Sequence, residues 1–190
     1  MAELPELVLG VGGGAATFKA VAFASLARQA GFAVHTLLGT GGRAFVRPLS
    51  FTAVTGHAPI TTTLAVDPDG TAAHLRPARG AAFVILPATG DLIAKLAHGH
   101  GDCPVSLGAL SAPERRYFCP AMNDRMWKNP FVRENVARLE QAGWQRIGPE
   151  TGPLAEGYEA IGRMTEPQDV LRRIVQDLEA ARVLPPRKAD

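Results

Sequence analysis

An apolar run, Leu7 to Val11, ends directly in three consecutive glycines, Gly12, Gly13 and Gly14. A helical stretch follows, Ala16 to Gln29, in which Phe18, Val21, Ala22, Ser25 and Leu26 recur at spacings near 3.6 and mark the expected apolar stripe. Gly31 stands where a helix C-terminus favours glycine, and Phe32 to Leu38 is a second apolar run. Strand, glycine turn, helix, strand is the opening of a βαβ unit, which commits the chain to parallel pairing with a helix on the sheet face.

The rest of the chain continues the alternation. Arg43 to Thr55 holds helical pieces interrupted by Pro48, and residues 57–80 read as a long connection rich in Pro, Gly, Thr and Asp. Connections of that length inside a domain are more often functional than decorative. Ala81 to Leu86 is almost purely apolar, as in a strand covered on both faces. Gly90 to His98 reads as a short helix, and Val105 to Leu107 and Tyr117 to Cys119 as weaker strands. Pro130 to Gly143 carries Val132, Val136, Leu139 and Ala142 on one helical side, and Trp144 to Ile147 reads as a last strand. Pro149 to Arg163 reads as a second Gly- and Pro-rich loop, and Glu166 to Val183 as an amphipathic helix with Val170, Ile174, Leu178 and Ala181 in line. The expected fold is a single α/β domain over residues 1–183, a three-layer, doubly wound parallel sheet of the Rossmann or flavodoxin-like kind, with 184–190 as a flexible tail. With 190 residues and 46% apolar content, one buried core is feasible.

A formal net charge of +2 argues against nucleic acid as the main partner. No apolar stretch has the length needed to span a bilayer, and the start, MAELPELVLG, lacks the basic region of a signal peptide. A cytoplasmic protein with two free thiols, Cys103 and Cys119, is expected. The cluster His98, His100, Asp102 and Cys103 lacks the spacing of a usual metal site and sits among helix-ending glycines, so no metal is expected.

Ligands of such sheets sit outside the carboxyl ends of the strands, so three segments that follow strands should crowd one edge. The first is GVGGGAATFK. Its glycines let the backbone approach a ligand, and the following helix offers its positive end to an anion. A tight turn with no ligand explains the glycines equally well. The second is PATGDLIAKLAHG, where Asp91 could be no more than a helix cap. The third is CPAMNDRMW, where the Asn123 amide can donate to a carboxylate or merely hold its turn, and where Met122, Met126 and Trp127 suit packing.

Residues 7–167 resemble the family of homo-oligomeric flavin-containing cysteine decarboxylases, in particular the flavoprotein domain of phosphopantothenoylcysteine decarboxylases. The stretches GGGAATFKA, RAFVRPLSFTAVTG, VILPATGDLIAKLAHG, CPAMNDRMWKNP and GRMTEP occur in the family's order. The resemblance implies FMN held between protomers of a trimer, with assembly to a dodecamer left open. It implies cofactor contacts at Gly13, Gly14 and Ala15, at Thr89, Gly90, Asp91 and Leu92, at Met122, and at Gly39 or Thr40, where relatives carry Ser or Thr. It implies His74 as the active-site base, suited to taking a proton near neutral pH, and Asn123 as the anchor of the substrate carboxylate. The implied reaction is FMN-dependent decarboxylation of a small-molecule cysteine conjugate, 4′-phosphopantothenoylcysteine first among them. Oxidation at the thiol-bearing carbon makes an electron sink into which the carboxylate electrons can fall. The flavin-prenylating relatives lack a PAMN-type segment.

One position departs from the pattern. The coenzyme A branch of the family carries Ala-Cys-Gly a few residues before Gly-Arg-Met. This chain reads Ala155, Glu156, Gly157 before Gly162, Arg163, Met164. Three readings follow: Glu156 replaces the cysteine as acid, which requires a dry enclosure; the reaction stops at the oxidised enethiol, as in peptidyl-cysteine decarboxylases; or the protein is a non-catalytic flavin-binding redox or regulatory module. A solvated loop carboxylate is the ordinary state of a glutamate. The sequence stops at residue 190 without a synthetase segment, so a separate protein is expected to make the substrate, unless the pathway differs.

Overall fold

The computed structural model describes residues 4–184. Its central sheet has five strands, β1 (Glu6–Val11), β2 (Ala33–Leu38), β3 (Ala82–Ala88), β4 (Arg116–Pro120) and β5 (Gln145–Arg146), in the order β2-β1-β3-β4-β5. All adjacent pairs are parallel, with Leu9 opposite both Thr36 and Val84. This is the flavodoxin-like order, which reverses direction between β1 and β3. The carboxyl ends of these two strands run directly into Gly12 and Thr89.

The helices are α1 (Phe18–Gln29), entered through a 3-10 turn at Ala15–Thr17, α2 (Thr40–Phe45), α3 (Pro48–Thr55), α4 (Gly90–Ala97), α5 (Pro104–Ala109), α6 (Asp124–Lys128), α7 (Pro130–Gln141) and α8 (Pro167–Ala180). Side chains alternate across a strand, so Leu7, Leu9 and Val11 pack on one face with Phe23 and Ala24 of α1 and Ile174 and Leu178 of α8. Val8, Phe83 and Ile85 pack on the other with Val105 of α5 and Val136 and Leu139 of α7. Gly10 belongs to this second face: a β-carbon there would lie 2.8 Å from Val105 Cγ1, so α5 can approach only because the residue is glycine. Burial on both sides explains why β3 reads as an unbroken apolar run. Among the described residues no helix is long and apolar enough to cross a membrane.

The expected architecture is the one found, but three local expectations change. The stripe Phe18, Val21, Ala22, Ser25 and Leu26 is not the buried side of α1. That side is Ala20, Phe23, Ala24 and Ala27, whereas Phe18 is 64% exposed. The helix is apolar nearly all round, and its alanines, not its larger side chains, let it close on the sheet. Val105 to Leu107 forms helix α5 instead of a strand. Pro104 opens it, and Cys103 and Ser106 cap each other: the Cys103 amide donates to Ser106 Oγ at 3.2 Å, and the Ser106 amide to Cys103 Sγ at 3.4 Å. The loop expected at 149–163 is an antiparallel hairpin, β6 (Glu150–Pro153) and β7 (Glu159–Arg163). Residues 57–80 are largely irregular, with a 3-10 segment at Ala73–Arg79. Of the expected tail, Leu184 leans on the core; residues 185–190 lie outside the described residues.

Candidate active site

A cleft of about 570 Å³ opens at the carboxyl ends of β1, β3 and β4. Gly13, Gly14 and Ala15 line it from the first turn, Thr89 and Gly90 from the second, and Ala121, Met122 and Asn123 from the third. Pro153, Leu154, Ala155 and Glu156 of the hairpin reach over it. The turns are close neighbours. A β-carbon on Gly14 would lie 3.5 Å from Thr89 Cγ2, and one on Gly90 would lie 3.6 Å from Met126 Cε.

Each turn has a local cause. In the first, the Gly14 amide donates to the buried Thr17 hydroxyl at 2.9 Å, and that hydroxyl lies 2.8 Å from the Gly12 carbonyl and 2.6 Å from the Gly14 carbonyl. Gly13 packs against the backbone of Gly41 so closely that a β-carbon would collide with it. In the second, Thr89 caps α4, its hydroxyl accepting from the Leu92 amide at 3.3 Å. In the third, Asn123 caps α6, its Oδ1 accepting from the Arg125 amide at 2.9 Å.

The Asn123 amide nitrogen donates to the Tyr158 hydroxyl at 2.9 Å, and that hydroxyl donates to Asp124 Oδ1 at 2.7 Å. Lys128 Nζ holds the other Asp124 oxygen at 2.7 Å and, with Tyr158, keeps this carboxyl below the usual carboxylate range. Also lining the cleft, Lys19 and Arg163 both donate to Glu166 Oε1, Lys19 at 2.8 Å. Lys19 first, then Arg163, holds the Glu166 carboxyl low. The cleft wall thus carries two cations sharing one carboxylate, beside an apolar lining of Phe18, Met122, Met126, Leu154 and Met164.

Of the residues singled out in the sequence, Gly13, Gly14, Ala15, Thr89, Gly90, Met122, Asn123 and Glu156 line this one cleft. Others stand apart in this chain. Leu92 of α4 is buried in the core, and Asp91 faces solvent, paired with Lys95 at 3.3 Å. Gly39 caps α2 and Thr40 is exposed; their segment meets the first turn through Gly41. His74 lies on the 3-10 segment against α5. Its carbonyl accepts from the Ser111 hydroxyl at 2.6 Å, and its Nδ1 is buried without a hydrogen-bond partner among the described residues. Glu156 is exposed, so a single copy of the chain does not supply the dry enclosure that an acid there requires. Neither cysteine lines the cleft: Cys103 caps α5, and Cys119 is buried in β4, where desolvation pushes its thiol far up. Asp102 pairs with Lys95 at 3.0 Å.

Sequence reasoning missed Thr17, Lys19, Arg163 and Tyr158. Thr17 had a signal, since a hydroxyl three residues after Gly14 has capping-box spacing. Tyr158 had none, because only the hairpin carries it to Asn123.

The residues present fit a flavin mononucleotide. Side-chain-free backbone at Gly13, Gly14 and Gly90 leaves room for a flat ring at the strand ends, apolar side chains offer it faces, and the helix start behind the first turn suits a phosphate.

Comparison with known proteins identifies the family. The family model described as Flavoprotein matches residues 1–179. The chain is 35% identical over 168 residues, 88% of its length, to the coenzyme A biosynthesis bifunctional protein CoaBC of Bacillus subtilis, covering 41% of that protein. It therefore spans about two fifths of the curated CoaBC relative it matches. A probable phosphopantothenoylcysteine decarboxylase of Streptococcus mutans is 28% identical over 176 residues, 91% of this chain and 98% of that one. Among solved structures, the FMN-dependent cysteine decarboxylase SpaF superposes with a TM-score of 0.76 at 30% identity, over 90% of this chain and 96% of that chain.

Proposed function

Because the chain belongs to the Flavoprotein family, we propose that it binds FMN in the cleft and decarboxylates a cysteine conjugate, with 4′-phosphopantothenoylcysteine the first substrate to test. The observation that carries this reading is the convergence of Gly13–Ala15, Thr89–Gly90 and Met122–Asn123 on one cleft with Glu156 at its mouth. FMN, when bound, supplies a hydride acceptor for the carbon bearing the substrate thiol, which prepares the neighbouring bond to the carboxylate for cleavage.

The chain's own residues do the rest. Gly13, Gly14, Ala15, Thr89 and Gly90 hold the cofactor through backbone contact. Asn123 keeps a free N–H for the substrate carboxylate once Tyr158 has taken the other. Phe18, Met126 and Leu154 supply apolar surface that a second copy can cover, and the exclusion of water strengthens every polar contact inside. Lys19 and Arg163 offer positive charge to an acidic conjugate. His74 does not line the cleft of its own chain; in this reading it serves as base from a second copy. Exposed Phe18 at the cleft, with exposed Phe45 on α2 and Leu49 on α3, supports such an assembly, proposed as a trimer.

Purified protein should be yellow, with an FMN spectrum, and should release carbon dioxide from the phosphopantothenoyl substrate. A flavin-loaded protein that leaves every cysteine conjugate intact would defeat the reading. One observation favours a second outcome of the same chemistry. No thiol lines the cleft among the described residues, and Glu156 occupies the flap position, so protonation after decarboxylation lacks its usual donor. An oxidative product, lighter by carbon dioxide and two hydrogens, marks that route; a product lighter by carbon dioxide alone marks the coenzyme A route.

A further inference from the structure

The turn of the hairpin, residues 154–158, stands over the cleft, and its own hydrogen bonds are internal. The Leu154 amide donates to the Tyr158 carbonyl at 2.9 Å and the Gly157 amide to the Leu154 carbonyl at 3.0 Å. Among the described residues, the side-chain hydrogen bonds from this turn to the rest of the protein are those of the Tyr158 hydroxyl. A carboxylate only accepts, so the single phenolic proton is committed to Asp124 Oδ1. The Tyr158 oxygen must then accept from the Asn123 amide nitrogen. Asn123 Oδ1 is already taken by the Arg125 amide, so the amide group cannot turn over without losing both partners. One N–H of Asn123 remains unassigned on a residue that lines the cleft.

We propose that Tyr158 is the latch of the active-site hairpin and the positioning residue that fixes Asn123 as a donor toward a substrate carboxylate. The latch stands on the hydrogen bonds alone; the carboxylate part rests on the decarboxylase reading given above. The latch stays set near neutral pH. Lys128 keeps Asp124 ionised, and the Asp124 hydrogen bond raises the Tyr158 phenol above its ordinary range. Tyr158 lies in the flap segment but is not the residue aligned with the family's proton donor, which is Glu156. Its part is geometric: it sets both the closure of the flap and the sign of the dipole offered to the ligand.

Tyr158→Phe removes the hydroxyl and leaves the ring. The test has two arms on the full-length protein as purified. Hydrogen exchange of the Leu154 and Gly157 amides reads the latch without any turnover. Exchange about tenfold faster in the variant, with unchanged flavin content, is expected from loss of the hydroxyl's bonds. Equal exchange in the two proteins overturns the latch whether or not the protein is a decarboxylase. Steady-state kinetics reads the positioning role: KM for the carboxylate substrate should rise about tenfold, with kcat within about twofold. Faster exchange with an unchanged KM overturns the positioning of Asn123. Absence of turnover in the unaltered protein instead refutes the decarboxylase reading and with it the carboxylate role, while the exchange arm still decides the latch.

Discussion

The amide of Met122, just past β4, donates to the carbonyl of Gly162 on β7 at 3.1 Å. Gly162 has φ +139, which L side chains rarely adopt, and a β-carbon on it would collide with the Met122 carbonyl oxygen. This contact roots the hairpin on the third turn of the cleft. Gly162→Ala should therefore lower stability by roughly 2–4 kcal/mol and open the cleft, since strain and collision add. Gly157→Ala is the control: φ is also positive, at +88, but nothing lies within 4 Å of the added carbon. It should cost only about 1 kcal/mol. Thermal melts of the two variants check the difference, and equal losses would mean that the Met122 contact is dispensable.

The Thr17 hydroxyl is the fastener of the first turn, lying within hydrogen-bond distance of both the Gly12 and Gly14 carbonyls while accepting from the Gly14 amide. Thr17→Val keeps the shape and leaves these buried groups without their partner, at a cost of about 1–3 kcal/mol. Because the same turn holds the cofactor in the proposed function, flavin affinity should fall about tenfold or more, and Thr17→Ser should restore most of it. Titration of the flavin-free protein with FMN measures this; undiminished affinity in Thr17→Val would separate the turn from the cofactor.

What could be read from the sequence was whatever local chemistry dictates. Glycines directly after an apolar run gave the βαβ opening, and the uniform apolar stretch at Ala81 to Leu86 gave the two-sided central strand. The cleft followed from topology alone, because segments after parallel strands must gather at one edge. Tertiary contact decided the rest. The buried side of α1 was ambiguous because alanines and larger apolar residues alternate around it. Val105 to Leu107 was too short for periodicity to separate strand from helix. The hairpin at 150–163 depends on the docking of Gly162 against Met122, and so does the arrival of Tyr158 beside Asn123. The distance of His74 from the cleft of its own chain could not be read from a motif.

On the edge strand β2, His35 is largely buried. Its Nε2 lies 3.2 Å from Arg76 Nη1 and 3.6 Å from Glu6 Oε1, and its ring centroid is 4.3 Å from that of His57. Burial, then Arg76 and His57, lowers its pKa from about 6.5 to about 4, against the pull of Asp67. Between these values the unfolded chain binds the proton that the folded chain refuses. Stability from this group is therefore complete above about pH 6.5 and is lost as pH falls toward 4, by an amount on the order of 3 kcal/mol. Denaturant unfolding between pH 4 and 7 should show a shallower slope for His35→Gln than for the unaltered protein. Parallel slopes would show that His35 titrates alike in both states.

The proposed base His74 lies against α5, with its carbonyl bound by Ser111, while Asn123 lines the cleft. If the site joins the cleft of one copy to His74 of another, each residue can be removed from a different chain. His74→Asn and Asn123→Ala should each be inactive alone, by roughly a hundredfold or more. Unfolded and refolded together in equal amounts, they should recover activity. A head-to-tail ring draws both neighbours at random, so roughly one site in four pairs an intact cleft with an intact histidine. Recovery near a quarter of the unaltered rate supports a shared site. Variants that stay inactive when mixed, with hybrid oligomers demonstrated by differential tagging, would place both residues in the service of one chain or remove His74 from the chemistry.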